Sequence, residues 1–89
     1  MHIKVEEAAA VYKALGHPVR LAIVRGLSSK RCNVNSISEK LGLPQATVSQ
    51  HLAVLRRAGI IEGERKADGT CYRVVHPLAL AAVASMGGR

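Results

Sequence analysis

The chain has 89 residues, 13 Lys and Arg against 6 Asp and Glu for a net charge of +7, and a 48% apolar composition that includes only 2% aromatics, Tyr12 and Tyr72. This length supports one small domain with an aliphatic core, and the absence of Phe and Trp excludes platforms that stack single-stranded bases. The positive balance calls for a polyanionic partner, most simply a nucleic acid.

The longest apolar run, Leu78 to Ala84, is far short of the roughly 20 residues of a membrane span. The N-terminus carries Glu6 and Glu7 and lacks the basic start and apolar segment of a secretory signal, so a cytoplasmic address is expected. Cys32 and Cys71 are too few and too far apart for a disulfide framework and are expected as reduced thiols.

A first helix is predicted over Val5 to Leu15, with Glu6 and Glu7 at its positive end and Gly16 just beyond it. Pro18 suits the first turn of a second helix to about Leu27, where Leu21, Val24 and Leu27 form one stripe and Ser28 and Ser29 end it. Cys32-Asn33-Val34 reads as a short strand. Ser36 with Glu39 three residues later matches a capping box that starts a third helix, closed by Gly42. A fourth helix, Gln45 to Ala58, follows the Leu43-Pro44 turn and ends at Gly59.

Two helices joined by a glycine-containing turn have the form of a helix-turn-helix, whose second helix can enter the DNA major groove. Stepping about 100° per residue along the fourth helix gathers Val48, Leu52 and Leu55 on one stripe. Gln45, Ala46, Ser49, Gln50, Arg56 and Arg57 fall outside that stripe. Gln pairs with adenine edges, Ser reaches bases or phosphates, and Arg neutralises phosphates. The same face also fits a plain solvated helix surface.

Ile60-Ile61 begins a strand, Asp68-Gly69 is a two-residue hairpin signal, and Cys71 to Val75 returns. With Asp68-Gly69 as the loop, Lys66 would oppose Cys71 and Arg65 would oppose Tyr72, placing two cations near the tip of a wing. A charged tip can track a groove, or serve only solubility. The last segment, Pro77 to Met86, is apolar around its circumference, which requires burial on all sides. A subunit interface is therefore expected, formed by Val5, Ala8, Val11, Tyr12 and Leu15 with Leu78, Ala82 and Val83. A two-fold dimer would present its two recognition helices to half-sites about 34 Å apart.

The run Lys13-Ala-Leu-Gly-His-Pro-Val-Arg-Leu-Ala-Ile-Val, the segment Ser36 to Gly42, the run Gln45-Ala-Thr-Val-Ser-Gln-His-Leu-Ala-Val-Leu-Arg-Arg-Ala-Gly, and Gly69 to Val74 together resemble the ArsR/SmtB family of bacterial winged-helix repressors. The resemblance covers nearly the whole chain. It implies a mainly α winged helix-turn-helix fold with a small β-hairpin wing, as a single domain and a homodimer. The helix-turn-helix would span about residues 36–58, the wing about 60–75, and the dimerisation helices about 5–15 and 77–86. It also implies a repressor that binds a palindromic double-stranded operator and leaves it when an inducer binds. Base reading falls on Gln45, Thr47, Ser49 and Gln50, and wing contacts on Arg65 and Lys66.

The family's metal sites carry over poorly. Its Cys-x-Cys pair would fall on Asn33 and Asn35, and the C-terminal helix, 77–89, has no Asp, Glu or His. Cys32 follows Lys30 and Arg31, and Cys71 is expected to face Lys66, surroundings that favour a reactive thiol. In winged-helix folds the short strand pairs with the wing's return strand. That would bring the two cysteines together as a switch for an oxidant, polysulfide or arsenite; the competing reading is two small apolar core residues.

His17 reads as a cap or packing residue, His51 belongs to the family's helix pattern, and His2 and His76 lie near element ends; no two of them have the i, i+4 spacing of a helical metal site. No nucleophile stands beside a base and an orienting acid, and no Gly-rich phosphate loop occurs, so an enzyme is not expected. The alternative to a repressor is a winged-helix protein-interaction module whose charge serves solubility.

Overall fold

A computed structural model describes residues 2–29 and 33–87. The element order is α1 (Val5–Leu15), α2 (Pro18–Ser29), α3 (Val34–Leu41), α4 (Gln45–Arg57), β1 (Ile61–Lys66), β2 (Gly69–Val74) and α5 (Pro77–Ser85). Among the described residues these are five helices and one antiparallel hairpin.

The α1 boundaries match those expected. The second helix runs two residues past Leu27, because Ser28 stays helical and its Oγ donates to the Val24 carbonyl at 3.0 Å. At its start the His17 Nδ1 accepts the Val19 N–H at 3.1 Å, so His17 does serve as a cap.

The third helix corrects two expectations. Asn33, not Ser36, is its N-cap: Asn33 Oδ1 accepts the Ser36 N–H at 2.9 Å, and Ser36 lies inside the first turn. Asn33 and Ser36 are both good capping types, and the helix begins at the earlier one because the extended backbone of Asn33 aims its side chain at the N–H three residues on. The strand expected at Cys32-Asn33-Val34 is therefore replaced at Asn33 and Val34 by a cap and a helix start, while Cys32 lies outside the described residues. Among the described residues the sheet has two strands, β1 and β2.

Gly42 closes α3 in the left-handed region, φ 66°, and both its N–H and that of Leu43 return to the Ser38 carbonyl at 2.9 and 3.2 Å. The Ser38 hydroxyl in turn donates to the Leu43 carbonyl. These bonds fix the turn that aims α4.

The hairpin register also differs from the expected one. Lys66 pairs with Gly69, Arg65 with Thr70, Glu64 with Cys71 and Gly63 with Tyr72, so the loop is Ala67-Asp68. Neither loop residue has positive φ, whereas Gly69 has φ 123°; a loop centred on Asp68-Gly69 in its favoured geometry would require a positive φ at Asp68 as well. The chain places the positive φ on glycine alone.

The core is aliphatic, as the composition required. Val11 and Leu15 of α1, Ile23, Val24 and Leu27 of α2, Ile37 of α3, and Val48, Leu52 and Leu55 of α4 meet Ile60, Ile61, Ala79 and Val83. Val11, Leu15 and Val83, expected at a subunit interface, are thus in the chain's own core, at 0%, 5% and 4% exposure. The reason is that α1 and α5 pack on each other and on α2, which uses one stripe of each helix internally. What stays outside is Val5, Tyr12 and Leu80, while Ala8, Leu78 and Ala82 are half-buried.

His76 links the two helices. Its Nδ1 accepts the Leu78 N–H at 3.1 Å, capping α5, which leaves Nε2 to donate to Glu7 Oε2 of α1 at 2.9 Å.

Candidate nucleic-acid interface

The fourth helix buries Val48, Leu52 and Leu55 and turns the remaining arc, with its two end turns, to solvent. Gln45, Ala46, Ser49, Gln50, Arg56 and Arg57 are all exposed, and Thr47 is half-buried toward the side. At about 1.5 Å per residue its thirteen residues span roughly 20 Å, enough to lie along a major groove. Arg56 and Arg57 stand in its last turn, where the helix dipole favours cations.

The rear of the helix is fixed by His51. Its ring packs against His17 with centroids 4.6 Å apart and planes tilted by 52°. Partial burial, then the neighbouring His17, then Arg20 hold the His51 imidazole below its ordinary pKa, favouring the neutral ring. Arg20 also donates from Nε to the Ala14 carbonyl at 2.6 Å, tying α2 to α1 beside this contact.

The N-terminal end of the helix is tied to α3, a feature the sequence does not announce. Gln45 Nε2 donates to Asn35 Oδ1 across the turn. Both amides line a cleft of about 240 Å³ with Asn33, Thr70 and Tyr72, between the helix-turn-helix and the wing. The two positions that would carry metal-binding thiolates in the family therefore hold amides already engaged, Asn33 as a cap and Asn35 as the partner of Gln45. Among the described residues no three His, Cys, Asp or Glu side chains gather into a metal-binding group.

The wing has two different faces. Ile61, Gly63, Arg65, Thr70, Tyr72 and Val74 share one, with Tyr72 and Val74 packed against the core and the Tyr72 ring lying over Gly63. Glu62, Glu64, Lys66, Cys71 and Arg73 share the other. There Arg73 pairs with Glu62 at 3.2 Å and Lys66 with Glu64 at 3.5 Å, whereas among the described residues no carboxylate lies within 4.0 Å of Arg65. The two-residue spacing of Glu64 and Lys66 signals the second of these pairs, whereas the Glu62–Arg73 pair follows from the register.

Cys71 is a half-buried free thiol opposite Glu64, not Lys66, because of the register change. It shares a cleft of about 190 Å³ with Asn33 and Lys66. Cys32, its expected partner, lies outside the described residues.

Residues 17–63 match the profile of the bacterial regulatory protein, arsR family. The chain is 44% identical over 87 residues to the HTH-type transcriptional repressor SmtB of Mycobacterium tuberculosis, covering 92% of this chain and 64% of that protein. It thus spans just under two thirds of that relative's length. Its fold is similar to that of HlyU from Vibrio cholerae N16961, with a TM-score of 0.87 and 29% identity over 97% of this chain and 94% of that one. The transcriptional repressor BigR from Xylella fastidiosa gives a TM-score of 0.82 and 36% identity over 91% and 83% of the two chains. The family is one of transcriptional regulators and not of enzymes. With helix-turn-helix, wing and sequence match in agreement, the chain belongs to the ArsR family of bacterial regulatory proteins.

Proposed function

We propose that this protein is a transcriptional repressor that binds a palindromic DNA operator as a homodimer and leaves it when an inducer acts. The observation that carries this reading is the solvent face of α4. Six polar, small or basic residues lie together there, Gln45, Ala46, Ser49, Gln50, Arg56 and Arg57, while the apolar residues of the same helix are buried. Gln45, Thr47, Ser49 and Gln50 are assigned to bases, and Arg56, Arg57, Arg65 and Lys66 to phosphates. The repressor names of the SmtB and BigR relatives support the direction of regulation.

Dimerisation is assigned to Val5, Ala8 and Tyr12 of α1 with Leu80, Leu78 and Ala82 of α5. Val5 is 80% exposed, Tyr12 54% and Leu80 46%, which is unusual for apolar side chains of neighbouring helices. Inducer action is assigned to thiol chemistry at Cys32 and Cys71, with an oxidant, polysulfide or arsenite as the agent. Unchanged operator affinity after all three treatments, with both thiols accessible, removes that assignment.

DNA titrations at several salt concentrations test the main reading. A repressor shows a steep negative salt slope, about −0.9 per phosphate neutralised, and a protein-interaction module shows almost none. Gln50→Ala is expected to cost about 1–3 kcal/mol on the specific site and little on random DNA, whereas Arg65→Ala weakens both and flattens the slope. Equal losses on both DNAs for Gln50→Ala overturn its base-reading role.

A further inference from the structure

We propose that Asn35, on α3 and outside the recognition helix, is a specificity-determining positioning residue that makes Gln45 select adenine over guanine. The inference rests on the DNA-binding reading above and assigns its chemistry at one base pair. Gln45 stands at the first position of α4, the end of a recognition helix that meets base edges, and is exposed.

A glutamine amide has one carbonyl oxygen and two N–H hydrogens. Free, it can present the carbonyl with one N–H, which matches the N6 donor and N7 acceptor of adenine. It can also turn to present both N–H groups, which matches the N7 and O6 acceptors of guanine. Here Asn35 Oδ1 accepts one N–H of Gln45 Nε2. The carbonyl and a single N–H remain, a set that satisfies adenine and leaves one guanine acceptor unpaired.

Three features make Asn35 suited to this task. It lies in the first turn of α3, whose start is fixed by the Asn33 cap, so its own backbone is held. The Ser38 and Gly42 bonds fix the turn between the two amides, which keeps α3 and α4 in one relative position. Asn35 is exposed and takes no part in the core, so replacing it spares the packing.

The test uses the full chain. Its preferred site is selected from random duplex DNA, and affinities are then measured for every single base-pair variant of that site with wild type, Gln45→Ala, Asn35→Leu and Asn35→Asp. Gln45→Ala is expected to lose the adenine preference at one position. Asn35→Leu is expected to lose the adenine-over-guanine discrimination at the same position by about tenfold and to leave the other positions unchanged. Asn35→Asp keeps the acceptor, so it retains the discrimination while its added negative charge weakens binding to all duplexes. The proposal is overturned if Asn35→Leu keeps the preference that Gln45→Ala loses, or if it weakens every duplex alike. A Gln45→Ala profile unchanged at every position also overturns it while leaving the repressor reading intact. A wild type that selects no site sinks both.

Discussion

Replacing Gly63 by alanine is expected to destabilise the protein by about 1–2 kcal/mol, although a glycine in a strand is ordinarily a site where alanine helps. A Cβ on Gly63 would stand 2.8 Å from Thr70 Cγ2 and 3.0 Å from Tyr72 Cε1, whereas carbon pairs prefer about 3.5–4.0 Å. Thr70 is β-branched and stiff at χ1, and the Tyr72 ring is packed against the core, so neither neighbour yields freely. Overpacking of this kind costs about 1–3 kcal/mol. Against it stands the loss of unfolded-state freedom on replacing glycine, worth about 0.4–1 kcal/mol because the backbone here needs no positive φ. The net loss corresponds to a Tm lower by roughly 4 to 16 °C for a domain of this size, measured at fixed protein concentration. The decisive comparison is a double-mutant cycle with Thr70→Ser, which removes the nearest methyl. Gly63→Ala should cost at least about 0.5 kcal/mol less in that background. An equal cost in both backgrounds, or a stabilised single variant, refutes the packing argument.

Asn33→Ala is expected to cost about 1 kcal/mol by removing the α3 cap, and Glu39→Ala almost nothing, because no capping box forms; comparable losses in chemical denaturation contradict the assignment. Tyr12→Glu and Leu80→Glu place charges on the exposed apolar face and are expected to shift the dimer to monomer in sedimentation while leaving the helical circular dichroism unchanged; an unaltered mass moves the interface elsewhere. For His51, burial, then His17, then Arg20 lower the folded pKa beneath the ordinary value of about 6.5. The unfolded chain therefore takes up this proton more readily. Its contribution to stability is present above about pH 6.5 and is lost as pH falls through the lower folded value. Wild type should lose more stability than His51→Gln between about pH 7.5 and 5, and equal losses exclude His51 as the cause.

The elements that periodicity or punctuation specified strongly were legible in the sequence. Val48, Leu52 and Leu55 determine the face of α4, because three large apolar groups at helical spacing leave one way to bury them. The start of α3 was not determined, because Asn33 and Ser36 are both good caps and local pattern cannot rank them. The hairpin register moved because Asp-Gly is a strong signal for a two-residue loop, yet the turn adopted uses Ala67-Asp68 with Gly69 just after it. The faces survive that change: each partner shifts by two positions, so Arg65 stays on the side of Tyr72 and Lys66 on the side of Cys71. The side of α5 facing inward was illegible for a different reason. A helix apolar all round offers no polar face to orient it, and only packing against α1 and α2 selects Ala79 and Val83 for the core.

At the candidate site the sequence assigns properties to residues singly, and the fold redistributes them in pairs. Of the wing's cations, Lys66 and Arg73 each lie within 4.0 Å of a glutamate, so a phosphate must compete with a carboxylate for them. Such exposed pairs are worth only about 0–1 kcal/mol, too little to keep either cation from DNA but enough to rank both behind Arg65. The same holds for hydrogen bonding at the head of α4. Counted alone, Gln45 brings two donors to a base edge; counted with Asn35, it brings one. That contact crosses a turn between two helices, ten positions apart in sequence, where neither a 3.6-residue nor a 2-residue period can show it. What a groove-facing surface can read therefore depends on the donors and charges left over after the protein's own side chains have paired.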